Sequence, residues 1–104
     1  MRQITKESIE AFMNATPFSK SNTSVQVELN VTILSIFGNE IAYRYNDLER
    51  TLSITNCGWE SNTTKERLNA LPNVNIYQSN GVWYLNGKEW DGELTNVNVD
   101  MVGA

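Results

Sequence analysis

The spacing of apolar residues changes period several times along the chain. Ile9, Phe12 and Met13 recur at i, i+3 and i+4, which predicts a helix over Ile4–Ala15 with one apolar face. Thr5 suits its N-cap, Ile4 is placed to staple onto Ile9, and Pro17 stops it. The stretch "PFSKSNTS" then reads as a polar loop. From Val25 the period falls to two: Val25, Val27, Leu29, Val31 and Ile33 hold odd positions, while Leu34 and Ile36 continue on even ones. Such a parity switch turns the apolar face over, so a bulge or break is expected near Thr32–Leu34. Gly38-Asn39, with glycine first, suits a type II′ hairpin turn that would pair Ile36 with Ile41 and Leu34 with Tyr43. Glu40–Tyr45 is the returning strand, "NDLE" the next turn, and "RTLSIT" a third strand with Leu52 and Ile54 on one face.

The second half opens on "NCGWESNTTKERLNALP". Thr63 and Glu66 have the spacing of a capping box, in which each side chain takes the other's free amide. A helix of about two turns follows over Lys65–Leu71, with Leu68 and Leu71 facing inward and Pro72 at its end. Asn80-Gly81 suits a type I′ turn, because both central residues need positive φ. That turn pairs Gln78 with Trp83 and Ile76 with Leu85. Asn86-Gly87 turns the chain again and returns Trp90 beside Trp83. The order α-β-β-β-α-β-β defines an α+β fold, a small antiparallel sheet of about five strands with two short helices. The 104 residues make one domain. Residues 1–92 form its folded core, and residues 93–104 read as an edge strand or loose tail.

Composition narrows the chemistry. Hydrophobic residues are 40% and charged residues 19%, which marks a globular chain. A net charge of −4 is too weak for a DNA mimic and of the wrong sign for a general nucleic-acid binder. Histidine is absent, which removes the commonest general base and the commonest transition-metal ligand. The single cysteine, Cys57, permits no internal disulfide, fits a reducing cytoplasm, and has no histidine to activate it. It reads as a small buried residue at a strand end. The acidic "DGE" at Asp91–Glu93 lacks the spaced carboxylates of a calcium loop and reads as a solvated turn. Glycine loops of the Walker or dinucleotide type do not occur. The expectation is a non-catalytic protein with no cofactor, no metal site, no signal peptide and no membrane span.

Two constellations remain. Tyr77, Trp83, Tyr84 and Trp90 put aromatics on both faces of one hairpin, and a small core has room for one face only. The hairpin from Tyr77 to Trp90, with Tyr77, Trp83, Tyr84 and Trp90, is together with Trp59 the candidate surface for a protein partner. The alternative uses the helix start at Thr63 and Thr64 with Lys65, Arg67, Arg44 and Arg50 to hold a phosphate or nucleic acid. Glu60 and Glu66 oppose it by cancelling the local charge. A strand over Val97–Met101 would also permit, without requiring, a homodimer.

The residues Gly58-Trp59, "TTKERLNALP" and "YLNGKEWDG", within Gly38–Gly92, resemble a family of small bacteriophage-encoded proteins of unassigned function. The resemblance covers roughly the second half of the chain and leaves Met1–Phe37 unplaced. It implies phage origin, expression in the cytoplasm of a bacterial host, and no assigned catalytic residues. Small phage accessory proteins of this kind often bind and block a host protein, CRISPR and restriction machinery included. The function expected is therefore an accessory protein that binds a host or phage protein.

Overall fold

A computed structural model describes residues 2–47, 50–58 and 60–97. Its fold is α+β, cut into more and shorter strands than the periodicity suggests. α1 (Gln3–Met13) is followed by β1 (Phe18–Lys20), β2 (Thr23–Val27), β3 (Val31–Ile36), β4 (Asn39–Tyr45) and β5 (Leu52–Ile54). Then come α2 (Asn62–Asn69), β6 (Ile76–Ser79), β7 (Val82–Leu85), β8 (Lys88–Glu89) and β9 (Thr95–Val97). The strands form a six-stranded sheet, β1-β2-β3-β4-β5-β9, and a three-stranded sheet, β6-β7-β8. Every pairing is antiparallel.

One core joins these parts. Val25, Leu34, Ile36, Ala42, Leu52, Ile54 and Val97 lie on one face of the large sheet. They pack with Ile9 and Phe12 of α1, Leu68 of α2, and Ile76, Trp83 and Leu85 of the small sheet. Both helices and the small sheet therefore lie against the same face. The opposite face carries the cross-strand row Gln26, Ile33, Tyr43, Ser53 and Asn96. Ile33 is buried, yet it stands outside the core cluster, between its cross-strand neighbours Gln26 and Tyr43.

Several local expectations need correction. "PFSKSNTS" is not a loop: Phe18–Lys20 pairs with Thr23–Val25 around Ser21, whose φ is 55°. The strand break falls at Glu28–Asn30, where Glu28 N donates to Val31 O at 2.9 Å. Leu29 is therefore 89% exposed at a loop tip rather than turned inward. A bulge does sit beside the parity switch. Leu34 pairs with Ala42 and Ser35 with Glu40, so Ile41 is the extra residue on β4, and both Ile41 and Ala42 are buried. The hairpin turn is Phe37-Gly38, with φ of 53° and 81°, so Ile36 faces Asn39 instead of Ile41. Two positive φ values are the type I′ pattern, which follows the twist of the strands.

The helix caps also differ. The N-cap position of α1 is Arg2, with no side-chain cap, and Thr5 lies buried one turn inside. In α2 the cap is Ser61, whose Oγ accepts from Thr64 N at 3.1 Å, so the helix starts before Thr63 and ends at Asn69. The pattern S-x-x-T occupies 61–64, two residues ahead of the T-x-x-E that suggested the box. Glu66 is free of capping duty and ties the helices together. Its Oε1 accepts from Arg2 Nε at 2.7 Å, from Thr5 Oγ1 at 2.8 Å and from Arg67 Nη1 at 2.6 Å. Arg67 is buried, and its guanidinium also reaches Thr23 Oγ1 on β2 at 3.3 Å. One carboxylate and one guanidinium thus join α1, α2 and the large sheet.

Candidate functional site

The second hairpin forms as its two Asn-Gly turns dictate. Gln78 pairs with Trp83 and Ile76 with Leu85, and all four turn residues have positive φ. Alternation then sorts the aromatics. Trp83 is 1% and Trp90 7% exposed, with ring centroids 6.3 Å apart. The Lys65 ammonium sits 5.6 Å from the Trp83 ring centroid. Trp90 Nε1 donates to Thr95 Oγ1 at 2.9 Å. Both tryptophans belong to the core and are withdrawn from any contact surface, so their substitution tests stability rather than binding.

What remains outside is a tyrosine pair. Tyr77 and Tyr84 face each other across β6 and β7, opposite the tryptophan side. Their rings stack with centroids 5.2 Å apart and planes 10° apart. Tyr77 is 43% exposed and Tyr84 half-buried, and the exposed Glu89 pairs with Tyr84 from β8. The strands beneath are held firmly. Asn69 brackets Ile76, donating to its carbonyl at 2.9 Å and accepting its amide at 2.6 Å. Asn86 bonds Asn75 N at 2.9 Å and Asn73 O at 2.9 Å. The pair is thus a rigid, amphipathic patch that orders little on contact, the economy that makes tyrosine frequent in binding surfaces. Trp59 lies outside the described residues.

The basic constellation does not assemble. Thr64 and Arg67 are buried, and Arg67 is spent on Glu66, Thr5 and Thr23. Thr63 is half-buried on α2, and Lys65 turns to Gln78 Oε1 at 3.2 Å. Arg44 pairs with Thr32 at one end of β3, while Arg67 reaches Thr23, which pairs with Ile36 at the other. Arg50 stands with Arg44, away from α2, in a groove beside Met13. Cys57 is exposed rather than buried: it takes φ 57° in a turn with Gly58, and its thiol bonds Glu40 O at 2.8 Å. Partial burial, then the Glu40 charge, push that thiol up.

A second aromatic pair escaped sequence reasoning. Tyr43 and Tyr45, two apart on β4, stack at 6.4 Å on the outer face of the large sheet. Their i, i+2 spacing on a strand was the available signal. Tyr43 Oη donates to Glu40 Oε1 at 2.7 Å. Burial, followed by that carboxylate, pushes its phenol up to about 12. A folded-state pKa above the unfolded value gives stability that is complete below about pH 10 and lost as pH rises through the folded pKa. An ultraviolet titration of the protein should therefore show a late tyrosine ionisation that Tyr43→Phe removes. Glu40→Gln should move it to lower pH.

The fold and surface define a small α+β module with a packed side, tyrosine-bearing outer faces and, among the described residues, no cluster of three or more Cys, Asp or Glu able to hold a metal ion. The chain belongs to the Kyanoviridae Gp96 protein family, whose model matches residues 1–100. It is thus a member of a phage-encoded family of unassigned function, and the match takes in the first 37 residues that the sequence resemblance left unplaced. No curated protein and no solved structure matches it significantly. Among the described residues, no helix is long and apolar enough to cross a membrane.

Proposed function

We propose that this phage protein is a non-catalytic accessory module that binds a protein of the infected bacterial cell. The observation that carries the reading is the stacked Tyr77–Tyr84 pair, an exposed aromatic patch on a braced hairpin. Phage origin supports a host target and makes defence complexes, CRISPR and restriction machinery among them, the first partners to screen. The nucleic-acid alternative has less support, since Arg67 is buried and Arg44 and Arg50 stand apart from α2.

The double substitution Tyr77→Ala, Tyr84→Ala tests the surface. Both side chains face outward, so the far-ultraviolet circular dichroism should stay unchanged. Capture of the host partner on a tagged bait should fall at least about tenfold, as loss of one aromatic hot spot implies. Undiminished capture by a folded double variant would remove this patch from the interface.

A further inference from the structure

Behind the C-terminal end of α1 the large sheet opens into a groove of about 350 Å³. Arg44, Arg50, Glu28 and Asn46 line it together with an apolar wall of Val27 and Leu29. Arg44 is pinned there: its Nη1 donates to Met13 O at 3.1 Å, capping the last turn of α1. Its Nε is buried with no acceptor among the described residues. A guanidinium held partly out of water without a counter-charge is costly, and a nearby anion relieves that cost.

Among the described residues no carboxylate forms an ion pair with Arg44 or Arg50, and Glu28 lines the same groove. Glu28 accepts from Gln26 Nε2 at 2.9 Å. Asp47 is occupied by Thr51, taking its amide and its hydroxyl at 3.0 Å each. Among the described residues Arg2, Lys20 and Arg67 form ion pairs, while Lys6, Arg44, Arg50, Lys65 and Lys88 form none. Of these, Arg44 and Arg50 line one groove together. Two apolar side chains stand beside them, Leu29 89% and Val27 38% exposed.

We infer that this groove binds a small organic carboxylate, its oxyanion held by Arg44 and Arg50 and its apolar body laid along Val27 and Leu29. Arginine suits this task because its planar fork matches a carboxylate, and the hydrocarbon wall favours an acid with a chain over a bare anion. The site is independent of the tyrosine surface and does not rest on the reading of that surface.

Hexanoate, acetate and inorganic phosphate serve as probes, titrated separately into the ¹⁵N-labelled full chain and followed by NMR. Hexanoate should give saturable shifts of the Arg44 and Arg50 Nε–H signals and the Asn46 amide, with acetate at least about tenfold weaker, as loss of four methylenes from an apolar contact implies. Arg50→Gln should weaken hexanoate about tenfold, the loss expected for one charge-assisted contact, and leave the fold intact because Arg50 is exposed. Arg44→Lys keeps the charge but loses the fork, and should weaken binding if it still folds. Absence of saturation, equal binding by Arg50→Gln, or phosphate binding more tightly than hexanoate would overturn the assignment.

Discussion

Glu66→Ala should cost about 3 kcal/mol of folding stability, the lower end of the range for removing one partner of a buried ion pair. The lower end applies because the Glu66 side chain keeps 31% of its surface in water while that of Arg67 keeps none. The variant leaves the Arg67 guanidinium buried with only the hydroxyls of Thr5 and Thr23 beside it. The converse substitution, Arg67→Met, should cost less, because Glu66 retains Arg2 and is partly solvated. Combining Glu66→Ala with Arg67→Met should recover much of the first loss, giving a large coupling energy in a double-mutant cycle. Equal costs that simply add would show that the network contributes packing alone.

The same network sets an acid limb. Hydrogen bonding from Arg2, then from Thr5, and the charges of Arg2 and Arg67 hold the Glu66 carboxyl below its ordinary value, against the opposing effect of burial. A lowered folded pKa means stability that is present above the unfolded value of about 4.3 and lost as pH falls through the folded one. Denaturant melts of Glu66→Gln should therefore show a shallower decline on acidification. Glu7 and Asp47, also lowered, preserve part of the slope.

Among the described glycines, Gly92→Ala should be the most damaging substitution. Gly92 has φ +87°, and an added Cβ would fall inside the carboxamide of Asn56. Asn56 is 1% exposed and is fixed from two sides. Its amide donates to Gly92 O at 3.1 Å, and its Oδ1 accepts from Gly58 N at 2.8 Å. Thr55 Oγ1 adds a bond to the same Gly92 carbonyl at 2.6 Å. The "NCG" and "WDG" turns are thus locked to each other across the molecule. Strain at positive φ together with loss of the Gly58 N bond to Asn56 Oδ1 gives about 2–5 kcal/mol. Gly87→Ala is the control: its φ is +88° but an added Cβ meets nothing within 4 Å, so only the roughly 1–2 kcal/mol of strain applies. Thermal melts that rank the two equally would place the cost in backbone strain and remove Asn56 from the explanation.

Sequence reasoning reached furthest where local chemistry alone decides the structure. Two Asn-Gly pairs fixed the second hairpin in register, down to Gln78 opposite Trp83 and Trp90 beside it, because few other residue pairs tolerate that turn. It failed where neighbours in space decide. The hairpin at Phe37-Gly38 puts phenylalanine at positive φ, a choice made by the twist of the sheet and the bulge at Ile41 rather than by residue preference. Glu66 looked like a capping residue because its real partners, Arg2 and Thr5, lie sixty residues away in sequence. Arg67 looked like a surface cation for the same reason. The burial of Trp83 and Trp90 left a candidate contact surface of two tyrosines, and alternation had already placed those two on the opposite face.

The most direct measurement is affinity capture from bacterial lysate on the tagged full chain, with and without nuclease, read by mass spectrometry. A host protein retained in stoichiometric amount after nuclease treatment is the expected result. Partners that vanish with nuclease, alongside co-purifying nucleic acid, would contradict the account and return attention to the scattered basic residues.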